Sequence, residues 1–216
     1  MEDMTKYMVK ELTEGCNDDP TIQCGFIGEV GCSYPLLDVE KRSIQASAEA
    51  QQAMGGQVPV SFHPGRNSKS PFEILRIFSE AGGKIDRTIM SHVERTLQTP
   101  ALLSEFASGW GKSEPYCQFD LFGIEVSYYQ IEPSIDFPND AQRIQWILHL
   151  LENENKEDRI LASHDIHTKH RLERYGGHGF KHLLKYAIPK MIERGITQEQ
   201  VDKIFIKNPA KILAYH

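Results

Sequence analysis

Four ionisable residues stand where apolar runs of the chain end, and metal coordination is the chemistry that their side chains share. They are Glu29 near the end of IQCGFIGEVG (22–31), His63 after VPVSF (58–62), His92 after RTIMS (87–91) and Asp165 after RILASH (159–164). Imidazole nitrogens and carboxylate oxygens are the ligands that zinc and similar divalent cations take in proteins. A cation held in an open site can activate water for hydrolysis.

Each residue also has an ordinary structural explanation. His63 stands before Pro64 and could simply end a strand, while His92 could bind a backbone carbonyl. Asp165 could be the N-cap of the next element. Glu29 is harder to explain in this way, because a carboxylate beside an apolar strand needs a cation or several hydrogen-bond donors. The four residues together favour a metal site.

The stretch LASHDIHTKH (161–170) contains three histidines, but its position in the chain favours Asp165 as the ligand. Asp165 follows the apolar run, whereas His167 and His170 fall in the loop beyond it. His164 is one residue earlier, so it should point to the opposite side of the strand, toward the helices.

The elements that must position these residues follow a repeating order of strand and helix. A fifth apolar run, QFDLFGIE (118–125), precedes a loop rich in Tyr and Pro. Helical patterns cover about 4–14, 39–54, 70–81, 100–107, 139–152 and 180–194. A last helix is predicted to begin at Thr197, where Gln200 completes a capping box, and to be broken at Asn208-Pro209. Continuous apolar strands alternating with helices indicate a parallel sheet covered by helices. Sites in such folds form at the carboxyl ends of the strands.

The composition excludes several classes of function. The 216 residues carry 24 Lys and Arg against 30 Asp and Glu, and this net charge of −6 argues against a nucleic-acid partner. No stretch reaches the ~20 apolar residues that cross a bilayer, and the amino terminus does not read as a signal peptide. The four cysteines show no CxxC pair, so we expect free thiols in the cytoplasm and no zinc knuckle. We expect a single domain over 1–216.

Several longer motifs are specific enough to suggest a family. They are GFIGEVGCSYPL, SFHPGR, IMSHVERT, DLFGIE, RILASHDIHTKHRLERYGGHGF and GITQEQVDKIFIKNPAKIL. Over about 15–213 the chain resembles the phosphotriesterase family of the amidohydrolase superfamily, and in particular its phosphotriesterase-related branch. The resemblance implies a (β/α)8 barrel of the TIM type with two divalent cations, usually zinc.

The resemblance also implies a role for each of the four residues. Glu29 matches the carboxylate from strand four that bridges both cations, and His63 and His92 match the strand-five and strand-six histidines that bind one of them. Asp165 matches the strand-eight aspartate, which binds the other cation and is the catalytic residue that shuttles the proton. Four further residues are candidates for binding a small-molecule substrate, namely Arg66, Arg95, Tyr128 and His178.

The expected reaction follows from the same resemblance. The founding bacterial enzymes have a carboxylated lysine where this chain has Glu29. The branch with Glu implies an amide hydrolase that cleaves N-acyl amino acids such as N-acetyltaurine with a metal-bound hydroxide. The alternatives are a phosphotriesterase or lactonase, or a non-catalytic remnant that binds a metal or a partner. A homo-oligomer is compatible with all of them.

One departure from the family pattern affects these expectations. The family has a His-x-His motif at strand one that binds the cation shared with Asp165, and this sequence contains no His-x-His. Counted from Glu29, the chain supplies strands four to eight, about five of the eight β/α units. We therefore expect the C-terminal portion of a barrel, an N-terminally shortened form with one cation site incomplete, that is inactive alone. The segment 107–118 is longer than the corresponding family connection.

Overall fold

The computed structural model describes residues 2–129 and 132–214, and the chain divides into two compact units. The first consists of Met1–Ser91, Phe106–Tyr116 and Ala210–His216, and the second of His92–Glu105 and Cys117–Pro209. Within the described ranges, the helices are too short and too polar to cross a membrane.

The predicted strands and helices occur in the predicted order, and three short elements are additional to them. In chain order they are α1 (Glu2–Thr13), β1 (Ile27–Gly31), α2 (Asp38–Ala53), β2 (Val60–His63), α3 (Ser70–Glu80), β3 (Thr88–Met90), α4 (Val93–Thr96), α5 (Pro100–Ser108), β4 (Tyr116–Phe119), β5 (Tyr128–Tyr129), β6 (Glu132–Asp136), α6 (Asp140–Glu154), β7 (Ile160–Ala162), α7 (Ile188–Glu193), α8 (Gln198–Asp202) and α9 (Asn208–Leu213). The additional elements are α4, β5 and β6. Two π-helical segments, Leu183–Ala187 and Lys203–Lys207, precede α7 and α9.

The first unit is built on the parallel strands β1, β2 and β3. Gly31 pairs with His63 and Phe62 with Met90, so the ends of the three strands lie side by side. Helices α2 and α3 cover this sheet with fully buried apolar side chains, and the rings of Phe62 and Phe78 meet edge to face at 5.2 Å. Parallel pairing therefore places the residues that end each strand at one edge of the sheet.

The second unit contains the parallel pair β4 and β7, in which Cys117 is opposite Ile160 and Phe119 is opposite Ala162. Helix α6 begins at a capping box, in which the Asn139 side chain accepts a hydrogen bond from the backbone N–H of Gln142 at 2.9 Å. Strand and helix residues form a buried apolar core. The predicted parallel α/β architecture is confirmed in both units.

Several boundaries differ from the prediction. Strand β4 ends at Phe119, and the rest of the predicted run QFDLFGIE is turn and loop. The Tyr- and Pro-rich loop contains the antiparallel pair β5 and β6. Thr197 and Gln200 form the predicted capping box, but Asn208-Pro209 does not end the last helix. The helical backbone continues to Pro209 because Asn208 keeps right-handed helical torsion angles and its N–H donates to the Lys203 carbonyl in the preceding π-helical turn.

The segment 107–118 begins inside α5 and leads to β4. Its Trp110 packs against aromatic side chains of the first unit. Trp110 stacks on Phe72 at 6.4 Å between ring centroids and meets Phe106 edge to face at 6.2 Å. Trp110 thus ties this connection to the aromatic side chains of the first unit, and its extra length relative to the family stays a prediction.

Candidate metal centre

Glu29 and His63 come from the neighbouring strands β1 and β2. Glu29 Oε2 and His63 Nδ1 are 3.0 Å apart, and the two side chains are 39% and 36% exposed. Gly28 allows β1 to approach β2 here, because a Cβ at its φ of +132° would lie 2.6 Å from the Ser61 carbonyl oxygen. This pair is accessible to a ligand from solvent.

His92 follows β3, whose end is fixed by a hydrogen bond from the Ser91 N–H to the Phe62 carbonyl at 3.0 Å. Its φ of +54° is left-handed, a strained conformation for a residue with a Cβ. Its Nδ1 lies 2.6 Å from Asp120 Oδ1, and both side chains are under 5% exposed. A carboxylate on one ring nitrogen orients the imidazole and directs metal coordination to the other nitrogen.

We call Glu29, His63 and His92 the strand-end cluster, because the sequence places all three near the ends of apolar runs. Within the first unit, Glu29 Oε2 and His63 Nδ1 lie 3.0 Å apart. Two ligand atoms of one tetrahedral zinc lie about 3.4 Å apart, so this pair has the spacing of two ligands of one ion. The structure thus brings together two of the four residues selected from the sequence within one unit, and His92 belongs to the second unit. Metal binding by these residues stays a prediction.

Asp165 is not a member of that group among the described residues. Its φ is +49°, a second left-handed residue at the end of a strand. Its carboxylate lies 3.1 Å from Arg171 Nη1 and 3.2 Å from His167 Nδ1, and Arg171 also donates to its backbone carbonyl. Asp165 is therefore held by the loop that follows it.

His164 contacts a helical segment, as predicted. It accepts a hydrogen bond at 3.0 Å from the backbone N–H of Leu183, which begins the π-helical segment before α7. Its ring stacks on His178 with centroids 5.9 Å apart, and His182 lies edge to face at 6.4 Å. Burial, followed by the charges of these two histidines, lowers the pKa of His164 to about 4. The side chain is therefore a neutral acceptor.

Two of the four predicted substrate-binding residues lie together in the second unit. Tyr128 and His178 line a groove of about 490 Å³ whose wall also contains Tyr129, Phe137 and Arg171. Arg95 is 6% exposed in α4, and Arg66 is half-buried after β2. Substrate contact by these four residues stays a prediction.

A buried ionic network in the second unit was missed in the sequence. Besides binding His92, Asp120 accepts from Gln118 Nε2 at 2.6 Å. Glu94 accepts from the Leu121 N–H at 2.8 Å and lies 3.6 Å from Arg143, which also binds Asp140 at 2.7 Å. Glu94 and Arg143 are fully buried. The sequence did contain a signal for this network, because the carboxylate of Asp120 lies inside the apolar stretch QFDLFG and requires a partner.

The electrostatics of this network favour the neutral form of Glu94. Burial, followed by the negative charge of Asp120, raises the pKa of Glu94 to about 7, although Arg143 opposes the shift. Burial raises the pKa of Asp140, but the hydrogen bonds from His182 and Gly123 and the charge of Arg143 outweigh it, so the net pKa is lowered. Arg143 is thus paired with the carboxylate that stays ionised.

Comparison with known proteins agrees with this geometry. The phosphotriesterase family profile matches residues 1–213. The chain is 49% identical over its whole length to N-acetyltaurine hydrolase of Xenopus tropicalis and 50% identical to the phosphotriesterase-related protein of Nematostella vectensis, and spans 59% of the length of each.

Among solved structures, a resiniferatoxin-binding protein from Rhodobacter sphaeroides superposes with a TM-score of 0.88 at 26% identity. The match covers 98% of this chain and 56% of that one. The α/β fold with its parallel sheet therefore corresponds to part of a larger structure of the same type, and the profile match extends over nearly every residue. The chain belongs to the phosphotriesterase family.

Proposed function

We propose that this chain carries the metal-binding part of an amide hydrolase that acts on N-acyl amino acids, N-acetyltaurine in particular. The observation that carries the proposal is the contact between Glu29 and His63, found in a chain 49% identical to an N-acetyltaurine hydrolase. The carboxylate and two imidazoles of the strand-end cluster are a donor set suited to zinc.

Glu29, His63 and His92 would hold the cation. When bound, it would supply the Lewis acidity that polarises an acyl carbonyl and makes water a stronger acid. The half-exposed pair Glu29 and His63 would remain open to solvent and substrate, while Asp120 keeps the His92 ring in one orientation. The cluster would therefore combine two ligands that solvent and substrate can reach, Glu29 and His63, with one ligand of fixed orientation, His92.

Asp165 is the candidate for proton transfer. In the structure its carboxylate is bound by Arg171 and His167. We propose that it accepts the proton of the attacking water and passes it to the leaving amine, with Arg171 holding the carboxylate in place.

The groove beside Arg171 is the proposed place for the anionic end of the substrate. A guanidinium can bind a sulfonate or carboxylate through two hydrogen bonds. Tyr128 and Tyr129 would contact the apolar carbons between the anion and the amide. His178 lines the same groove and would add a hydrogen bond.

We propose a reducing compartment, the cytoplasm, as the location of the protein. The four cysteines all lie within the described residues, and each is a thiol there. A homo-oligomer stays a prediction.

The test is zinc binding and substrate turnover by the purified chain. Calorimetry with zinc is expected to show one binding event that His63→Ala and His92→Ala remove, while His149→Ala, an exchange outside the cluster, leaves that event unchanged. Taurine release from N-acetyltaurine is then compared with hydrolysis of a lactone and of a phosphotriester.

The outcomes separate the alternatives. Unchanged zinc binding in both histidine variants would overturn the proposed ligands. Faster hydrolysis of the lactone or phosphotriester would replace the amide reaction with one of those. Zinc binding without turnover of any of the three substrates would support a non-catalytic role for this chain.

A further inference from the structure

A second group of metal-competent side chains lies in the first unit, away from the strand ends. Glu11 in α1, Cys16 after that helix and Cys24 before β1 have ligand atoms within 4.8 Å of one another, and we call them the thiol cluster. The two cysteines are eight positions apart, a spacing that matches no simple motif. Their proximity is a product of the fold.

Backbone hydrogen bonds hold this loop in shape. The Cys24 N–H donates to the Glu11 carbonyl at 3.0 Å, and the Cys16 N–H donates to the Ile22 carbonyl at 2.8 Å. Gly15, with a φ of +108°, lies so close to Pro20 that a Cβ would be 2.2 Å from its carbonyl oxygen. The donors are therefore brought together before any ligand is present.

The tip of the loop is also fixed. Asp19 accepts from both the N–H and the hydroxyl of Thr21, at 3.0 and 2.6 Å, and Gln23 Nε2 donates to the Thr13 carbonyl at 2.8 Å. These contacts tie the loop to the end of α1. The protein's own hydrogen bonds therefore order the ligand residues before an ion binds.

The distances within the thiol cluster match the geometry of a single ion. The sulfurs of Cys16 and Cys24 are 3.8 Å apart, and Cys24 Sγ is 3.8 Å from Glu11 Oε2. Two sulfurs on one tetrahedral zinc lie about 3.8 Å apart, and a sulfur and a carboxylate oxygen about 3.6 Å apart. All three donors could thus bind one cation with little movement.

The charge and setting of the cluster favour a cation. Between Tyr7 and Cys24 the chain has one basic residue, Lys10, and four acidic ones, Glu11, Glu14, Asp18 and Asp19. Glu11 and Cys24 line a groove of about 370 Å³, so an ion and a fourth ligand such as water have access.

We propose that Glu11, Cys16 and Cys24 form a binding site for a thiophilic divalent cation of the zinc type. On binding, each thiol gives its proton to solvent, and two thiolates and one carboxylate coordinate the ion. A disulfide between the same cysteines would require the sulfurs to approach to about 2.05 Å and would give Glu11 no role. The carboxylate distinguishes a three-donor metal site from a simple redox pair.

Cobalt(II) titration of the reduced chain tests the proposal, because thiolate ligation produces a near-ultraviolet charge-transfer band that nitrogen and oxygen ligands do not. We expect one such site per chain. The band should disappear in Cys16→Ser and Cys24→Ser and weaken in Glu11→Gln. It should persist in Cys32→Ala, the matched control for a cysteine outside the cluster, and in His63→Ala.

A second measurement needs no substitution. Zinc should protect Cys16 and Cys24 of the folded chain from alkylation, as mapped by mass spectrometry, and a chelator should remove the protection. Absence of the band, its persistence in both serine variants, or unprotected cysteines would overturn the proposal. Formation of a Cys16–Cys24 disulfide with no cobalt bound under reducing conditions would also overturn it and assign the pair a redox role.

Discussion

The residues of the strand-end cluster are held in two different ways. In the first unit, Glu29 and His63 contact each other at 3.0 Å and are more than a third exposed. In the second unit, His92 is buried against Asp120, and Glu94 and Arg143 extend the buried polar network. A buried, charge-assisted hydrogen bond fixes a side chain more firmly than an exposed one. His92 is therefore preorganised, whereas Glu29 and His63 are held less firmly.

The largest expected effect comes from removing the buried cation of the second unit. Arg143→Met should lower the free energy of unfolding by about 3–5 kcal/mol, because it leaves the buried Glu94 and the partly buried Asp140 without their charge partner. Chemical denaturation measures this loss. Arg76→Met, which breaks an exposed pair with Glu80, is the control and should cost less than about 1 kcal/mol. Equal losses of unfolding free energy in the two variants would show that the buried network stabilises the chain no more than an exposed ion pair does.

The next effect concerns the orientation of His92. Asp120→Asn keeps the shape of the side chain but removes its charge, and should weaken zinc binding about 10- to 100-fold. Calorimetry with zinc measures the change, with Asp38→Asn on the exposed start of α2 as the control. An unchanged affinity would contradict the view that Asp120 preorganises His92.

The pH dependence of stability tests the buried carboxyl of Glu94. Its pKa is raised to about 7 in the folded chain, above the ordinary value of 4.5, so between these values the folded state binds more protons than the unfolded state. Its contribution to stability is therefore present at low pH and lost as pH rises from about 4.5 to 7. Glu94→Gln should remove this decline in denaturation curves across that range. An unchanged pH profile would mean that Arg143 keeps Glu94 ionised.

The smallest effect on stability is expected in the first unit. Glu29→Gln should change the metal-free free energy of unfolding by less than about 0.5 kcal/mol, because its contact with His63 is exposed. The same variant should lose the zinc-binding event of the strand-end cluster in calorimetry, and this contrast separates a ligand from a structural residue. Destabilisation above about 1.5 kcal/mol would give Glu29 a structural role and remove the difference between the two regions.

The sequence by itself determined the order of the parallel strands and main helices and the region where each of these strands ends. Apolar runs, helical periodicity and the Thr197–Gln200 capping box are local patterns, so they could be predicted without knowledge of the fold. Parallel pairing then accounts for the approach of Glu29 to His63, because Gly31, two residues after Glu29, is paired with His63.

Only the tertiary structure decided which partners these residues have. Asp120 lies 28 positions from His92, and its role became visible only when β4 was seen to end at Phe119. The contact of Asp165 with Arg171 and the pairing of Cys16 with Cys24 depend likewise on how loops turn. Loop conformation is set by scattered side-chain and backbone hydrogen bonds, which leave no periodic pattern in the sequence. The chain thus specifies its candidate strand-end ligands locally, while the fold supplies the groups that orient them.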